Sequence, residues 1–161
     1  MVINPHIDPV LAFRLMTADD VAAIMEIEKQ IYEHPWTEGI FKDCIRVGYH
    51  GWVYEIDSEM QAYGLISIAA NEAHILNLCV APAFQGQGLG KKMLQKLMDT
   101  AEALDVKSVF LEVRVSNDIA IKLYDNAGFN QLGIRKDYYP MDKNGREDAL
   151  VFGKELNTDN E

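Results

Sequence analysis

The run Leu78–Lys92, LCVAPAFQGQGLGKK, joins an apolar, strand-like segment to a long helical one through a glycine-rich turn. Three glycines fall at positions 86, 88 and 90, and two lysines follow them directly. Glycine lets the backbone approach a ligand closely, and the free N–H groups and positive dipole end of a helix start attract anions. The run therefore predicts a pyrophosphate site at a helix N-terminus, and the alternative is a turn that only allows tight strand–helix packing.

Two common phosphate motifs do not match this turn. The Walker pattern needs four residues between its glycines and Ser or Thr after its lysine, but three residues separate Gly86 from Gly90, and Lys92 follows Lys91. The dinucleotide fingerprint needs a sixth-place glycine, where this chain has Lys91. Neither a P-loop nor a Rossmann dinucleotide site is therefore expected.

Outward from the turn, hydrophobic periodicity and turn residues predict seven strands. They are Ala12–Met16, Gly51–Ile56, Ala62–Ala70, Ala73–Val80, Ser108–Val115, Phe129–Tyr138 and Asp148–Leu156. The short polar gaps between the second, third and fourth suit antiparallel hairpins, and a polar turn over residues 142–145 joins the last two. The strand–helix–strand crossover in the second half implies one locally parallel pair.

Four helices complete the pattern. The first follows the possible N-cap Thr17 and has a stripe in which every member but one is apolar: Val21, Ile24, Met25, Glu28 and Ile31. The second follows Thr37, with the predicted buried stripe Ile40, Phe41, Cys44 and Ile45. The third helix runs from the glycine turn to about Leu104, and we expect Leu104 to lie on the buried side of this helix. The fourth runs from Asn117 to Ala127 and is closed by Gly128. The order is β-αα-βββ-α-β-α-ββ, in one mixed α/β domain.

Composition limits the function classes. The chain has 161 residues, so we expect one domain over residues 12–156, with an N-terminal extension at 1–11 and a polar tail at 157–161. The formal net charge of −10 argues against direct nucleic-acid binding and favours cationic partners. Two distant cysteines, Cys44 and Cys79, and the lack of a signal-like or membrane-spanning run favour a cytoplasmic protein without membrane association. We expect a monomer. The four histidines are scattered, so we expect no metal site.

The pattern Gln85-x-x-Gly88-x-Gly90 after an apolar strand resembles the loop by which the GNAT superfamily of N-acetyltransferases binds acetyl-CoA. The resemblance covers the chain from Phe13 to about Leu156, and further segments are similar to the RimI branch. These segments are His34–Trp36, Phe110–Asn117, Ala120–Tyr124, Ala127–Phe129, Ile134–Pro140 and Glu147–Ala149.

The resemblance implies a single GNAT-type domain with a mixed, mostly antiparallel sheet and a splayed parallel pair at the cofactor site. It implies acetyl transfer from acetyl-CoA to the N-terminal alanine of the eighteenth protein of the small ribosomal subunit, whose basic N-terminal segment is the acceptor. The strand backbone would pair with the pantetheine arm, the turn would hold the pyrophosphate, and Asn117 would contact the cofactor near its reactive end. The implied cofactor-binding residues are Leu78, Cys79, Val80, Gln85, Gly86, Gln87, Gly88, Leu89, Gly90, Lys91 and Asn117. Gln87 departs from the family, which often has Arg or Lys there.

The resemblance also implies a direct transfer with Glu112 as general base and Tyr124 as general acid. A terminal amine of pKa ~7.7–8.0 is already partly neutral near pH 7.4, so it needs only modest base catalysis. Residue patterns alone leave alternatives open: an ion pair between Glu112 and Arg114, a core role for Tyr124, and an N-cap role for Asn117. An acyl-enzyme on Cys79 is disfavoured because that thiol lies within an apolar strand.

The acceptor side is less well defined by the sequence. Four aromatic side chains lie in the two segments that flank the acceptor groove in similar enzymes: Tyr32, Trp36, Tyr138 and Tyr139. Tyr32 and Trp36 could instead fill the junction between the first two helices. Acidic side chains nearby could receive a basic peptide or simply form a solvated face: Glu33, Asp137 and Asp142. Two other functions remain open, a related acetyltransferase acting on lysine side chains or a small amine, and a non-catalytic acyl-CoA-binding module in ribosome assembly.

Overall fold

A computed structural model describes residues 12–141 and 145–156. The described strands are β1 (Phe13–Leu15), β2 (His50–Ile56), β3 (Glu59–Ala69), β4 (Glu72–Val80), β5 (Ser108–Arg114), β6 (Asn130–Pro140) and β7 (Arg146–Glu155). The helices are α1 (Val21–Ile31), α2 (Glu38–Arg46), α3 (Leu89–Ala103) and α4 (Asp118–Asn126), and two short 3-10 turns lie at Ala18–Asp20 and Pro82–Phe84. This confirms the predicted element order. The predicted extension at 1–11, the tail at 157–161 and residues 142–144 of the last turn lie outside the described residues.

The strands form one sheet in the order β1-β2-β3-β4-β5-β7-β6. All the neighbouring pairs are antiparallel except β4 and β5, which are parallel as the crossover through α3 predicts. Their pairing covers only three residues of each strand, from Glu72–Ser108 to His74–Phe110. Beyond that point the two strands separate, which is the splayed parallel pair that the fold class implies.

The helices cover both faces of the sheet. Successive side chains of β3 point to opposite faces. Tyr63 belongs to the buried cluster that contains Ile24 of α1. A Cβ at the next residue, Gly64, would instead lie 3.0 Å from Leu97 of α3. Helix α1 therefore packs on one face and α3 on the other.

Local sequence signals set most of the helix ends. The Thr37 side chain accepts a hydrogen bond from the Ile40 N–H, so it caps α2 as predicted. Gly128 follows α4 with φ of +92°, the left-handed conformation that favours glycine at this position.

Two predicted buried positions are wrong. Leu104 is 46% exposed, because α3 ends at Ala103 and the next residue leaves the helical stripe. Ile40 is 42% exposed. Of the predicted α2 stripe only Phe41 is fully buried, since α2 packs mainly against α1.

Candidate active site

A cavity of ≈ 360 Å³ opens where β4 and β5 separate. Its walls come from α1 and the loop after it, the middle of β4, the end of β5, the start of α4 and the end of β6. Both predicted catalytic side chains, Glu112 and Tyr124, contribute to these walls. The topology thus brings together residues from the two halves of the chain.

Glu112 lies on the cavity side of β5 and its side chain is 9% exposed. Its Oε1 lies 2.6 Å from His74 Nε2, and its Oε2 lies 3.7 Å from Arg135 Nε. The hydrogen bond with His74 lowers the pKa of Glu112 below its usual value, with a smaller contribution from the charge of Arg135, although burial opposes both. Glu112 is therefore held as a carboxylate, which is the form that a base needs.

The alternative ion pair between Glu112 and Arg114 is wrong. Arg114 Nη1 instead lies 3.1 Å from Glu147 Oε1 and donates to the Pro140 carbonyl at 3.1 Å. Its guanidinium also lies 4.5 Å from the centre of the Tyr139 ring, within the range of a cation–π contact. Arg114 thereby attaches the end of β6 to β5 and places Tyr139 at the cavity.

Tyr124 belongs to both the core and the cavity. It is 7% exposed, and its ring centre lies 5.7 Å from that of Phe129 and 6.4 Å from that of Phe152. Burial raises the pKa of the Tyr124 hydroxyl above its usual value, so the phenol keeps its proton.

Two glycines of the glycine-rich turn have the left-handed backbone conformation. Gly86 and Gly88 have φ of +80° and +82°, and a Cβ on either would meet no atom within 4 Å. Gly88 is the N-cap residue of α3, and the Gln85 side chain holds the turn by donating to the Val80 carbonyl at 3.1 Å. These two glycines are thus required by backbone conformation rather than by packing against side chains. A Cβ on Gly90, in contrast, would lie at ordinary contact distance from the Leu123 and Val80 side chains.

The remaining predicted cofactor residues differ in their surroundings. Leu78 of β4 lines the cavity, as does Asn117, whose side chain also caps α4 by accepting from the Ala120 N–H at 3.1 Å. Cys79 is buried in the cluster beneath α1, and burial raises the pKa of its thiol to about 11. A thiol in this form is a poor nucleophile, which argues against an acyl-enzyme on Cys79. Gln87 and Lys91 are exposed beside the turn, and Leu89 is buried below it.

The predicted acceptor residues divide into two groups. Tyr32, Trp36 and Tyr139 line the cavity, and burial raises the pKa of Tyr139 to about 12. Tyr138 is 41% exposed and its ring faces the Arg135 guanidinium instead. Of the proposed acidic side chains, Glu33 and Asp137 are exposed and outside the described cavity wall, and Asp142 lies outside the described residues.

Three residues at this site were not predicted from the sequence. His74 reaches Glu112 across 38 residues of chain, and no local pattern announces that contact. Glu28 and Asn77 line the cavity and are hydrogen-bonded to each other. Glu28 had a visible signal, because a carboxylate in an apolar helical stripe must be paired if it is buried.

Within the described residues, no three His, Cys, Asp or Glu side chains are grouped so as to hold a metal ion. The same part of the chain contains no helix with the length and apolar character needed to span a membrane.

Comparison with known proteins identifies the family. The model of the acetyltransferase (GNAT) family matches residues 21–129, so the chain belongs to this family of acetyl-CoA-dependent enzymes. It is 39% identical over 133 residues to the [ribosomal protein bS18]-alanine N-acetyltransferase of Haemophilus ducreyi, covering 83% of this chain and 92% of that protein. It is 37% identical to the protein of the same name from Escherichia coli K12, covering 83% and 89%.

The structural comparison agrees with this assignment. The crystal structure of the ribosomal-protein-S18-alanine N-acetyltransferase from Escherichia coli matches with a TM-score of 0.85 at 34% sequence identity. The match covers 92% of this chain and 96% of that one. The predicted GNAT fold and RimI-type resemblance are thereby confirmed.

Proposed function

We propose that this acetyltransferase moves the acetyl group of acetyl-CoA to the N-terminal alanine amine of ribosomal protein bS18. The observation that carries the proposal is the similarity, over more than four fifths of the chain, to enzymes named for that reaction. The cavity supports it, because a carboxylate and a phenol reach one space beside the splayed strands. The acting unit is the domain of residues 12–156, working as a cytoplasmic monomer without direct nucleic-acid or membrane contact.

The cosubstrate fits the turn and the strand beside it. The turn Gln85–Lys91, with its two left-handed glycines at the start of α3, suits the pyrophosphate. The backbone of Leu78–Val80 lies beyond the paired part of β4 and β5, so it suits the pantetheine arm as an added strand. Asn117 lines the cavity, which suits a contact with the cofactor near its reactive end. When bound there, acetyl-CoA supplies an acetyl thioester at the splay.

In the proposed reaction the acceptor amine attacks the thioester carbonyl, forming a C–N bond while the C–S bond breaks. Glu112 takes the proton that the amine loses, either directly or through water. The leaving thiolate takes its proton from Tyr124. Burial raises the pKa of this phenol further above that of a thiol, so the proton transfer from Tyr124 to a free thiolate would be unfavourable. The transfer therefore depends on the two groups being held close together in the site.

In this proposal the N-terminal residue of the acceptor enters the cavity. The cavity volume of ≈ 360 Å³ suits the end of a peptide. Tyr32, Trp36 and Tyr139 enclose it from the loop after α1 and from β6. The net charge of −10 favours the approach of a basic N-terminal segment.

The test is intact-mass spectrometry after incubation with acetyl-CoA and two short basic peptides that begin Ala-Arg. One peptide has a free α-amine and no lysine, and the other has a blocked α-amine and an internal lysine. Acetylation of the first alone, strongly slowed in Glu112→Gln, is the expected result. Acetylation of the blocked peptide alone would identify a lysine acetyltransferase. No product with either peptide, while acetyl-CoA binds, would leave a small-amine acetyltransferase and a non-catalytic acyl-CoA-binding module to be separated.

A further inference from the structure

Glu28 is a nearly buried carboxylate in the wall of the acceptor cavity, and the proposed reaction does not use it. Its residue is 1% exposed. Oε2 accepts from the Tyr63 hydroxyl at 2.6 Å and from Asn77 Nδ2 at 3.2 Å, and Oε1 accepts from the Trp36 N–H at 3.3 Å. No lysine, arginine or histidine in the described part of the chain forms an ion pair with it. A buried carboxylate without a cation is costly, and burial raises the pKa of Glu28.

Asn77, beside Glu28, has a buried carbonyl oxygen that lacks a hydrogen-bond donor in the part of the chain that the structure describes. Its Nδ2 is used by Glu28, but its Oδ1 is buried and has no hydrogen-bond donor among the described residues. Asn77 and Glu28 both line the cavity. A carboxylate can accept about four hydrogen bonds and a carbonyl oxygen two, whereas three donors reach Glu28 and none reaches Asn77 Oδ1. This part of the wall is therefore rich in acceptors and lacks donors and positive charge.

A primary ammonium group supplies both missing properties, since it has three N–H donors and one positive charge. We propose that Glu28 and Asn77 bind the α-ammonium group of the acceptor's N-terminal residue and present it to Glu112. The proposal rests on the proposed function, because it assigns the group that recognises the amine of that acceptor. Glu28 and Asn77 are binding residues here, and the proton is removed by Glu112 on another wall of the cavity.

A purely structural role for Glu28 makes a different prediction. Its hydrogen bonds to Trp36 and Tyr63 also join the loop after α1 to β3. If that were its only role, a substitution would weaken every acceptor alike. If Glu28 recognises the ammonium group, its substitution should instead weaken the binding of only those ligands that carry this group.

The experiment measures peptide binding by isothermal titration calorimetry in the presence of CoA, so that no transfer occurs. One peptide begins Ala-Arg, and the other has propionyl in place of alanine and therefore lacks only the amine. A charged hydrogen-bond pair corresponds to about a 10- to 100-fold preference for the amine in the wild type. We expect Glu28→Gln to reduce that preference to within about threefold, while Glu26→Gln, an exposed control on the same helix, keeps it.

Equal weakening of both peptides by Glu28→Gln would overturn the inference and leave the proposed function intact if the mass-spectrometric assay still shows N-terminal transfer. If Glu28→Gln does not fold, Asn77→Leu takes its place, because it removes the free carbonyl oxygen and one donor to Glu28. An unchanged amine preference in Asn77→Leu then overturns the inference. A wild type that binds neither peptide would overturn the inference together with the proposed acceptor.

Discussion

Replacing Glu112 by glutamine removes the negative charge and basicity at the centre of the site while keeping the side-chain size. General-base catalysis contributes ~10²–10⁴-fold to a rate. Two features place this enzyme at the lower end of that range. Roughly a fifth to a third of a terminal amine is already neutral near pH 7.4. In addition, the hydrogen bond with His74 lowers the pKa of Glu112, which weakens it as a base. We therefore expect Glu112→Gln to lower kcat by ~10²-fold at pH 7.4.

The assay follows CoA release from acetyl-CoA with a peptide that begins Ala-Arg, at pH 7.4 and again at pH 9. At the higher pH most of the amine arrives neutral, so less proton removal is required of the enzyme. The deficit of Glu112→Gln relative to the wild type is therefore expected to shrink as the pH rises.

The matched control is Glu102→Gln, which makes the same chemical change at an exposed position of α3. It is expected to keep the wild-type rate. The base assignment is refuted if Glu112→Gln turns over within about threefold of the wild type at pH 7.4 while its circular dichroism spectrum is unchanged.

Three further changes test the surroundings of the site. His74→Ala removes the main influence that lowers the pKa of Glu112, so this pKa should rise. In a pH–rate profile, the loss of kcat/KM caused by protonation of Glu112 should then begin at a higher pH than in the wild type. Gly88→Ala places a side chain at φ of +82° in open space, at a cost of about 1–2 kcal/mol, and should raise the KM for acetyl-CoA more than that for the peptide in initial-rate kinetics. Gly64→Ala puts a Cβ 3.0 Å from the side chains of Leu97 and Met93 of α3, which are fully buried and have little room to move. Urea unfolding should therefore show a loss of about 1–3 kcal/mol with kcat unchanged.

The fold could be predicted from the sequence where short-range chemistry decides it. Thr37 and Asn117 accept hydrogen bonds from the first helical turns that they cap, and such caps are recognisable by residue type. Alternation along β5 likewise predicts which side chains are buried, and the structure follows it residue by residue. Burial at Ile40 and Leu104 could not be predicted, because periodicity marks a face of a helix but not how far the neighbouring layer extends.

The candidate site was predictable only in part, since its electrostatics depend on register. The position of Glu112 on the cavity face follows from strand alternation, but its partner does not. Parallel pairing sets His74 against Phe110, and the next residue on that face of β5 is Glu112. The imidazole can reach the carboxylate because the strands begin to separate just there.

Arg114 is a plausible partner for Glu112 in the sequence, but in the structure it pairs with Glu147. Arg114 shares a face with Glu112 and carries the opposite charge, so proximity along the strand favours their pairing. The antiparallel neighbour β7, however, sets Ala149 opposite Arg114, which brings Glu147 from the start of β7 within 3.1 Å of the guanidinium. That competing carboxylate frees Glu112 to face His74 and the cavity. The ion-pair partner of a charged side chain on a strand thus depends on which charged residues the neighbouring strands place beside it. This cannot be read from the residues nearby in the sequence.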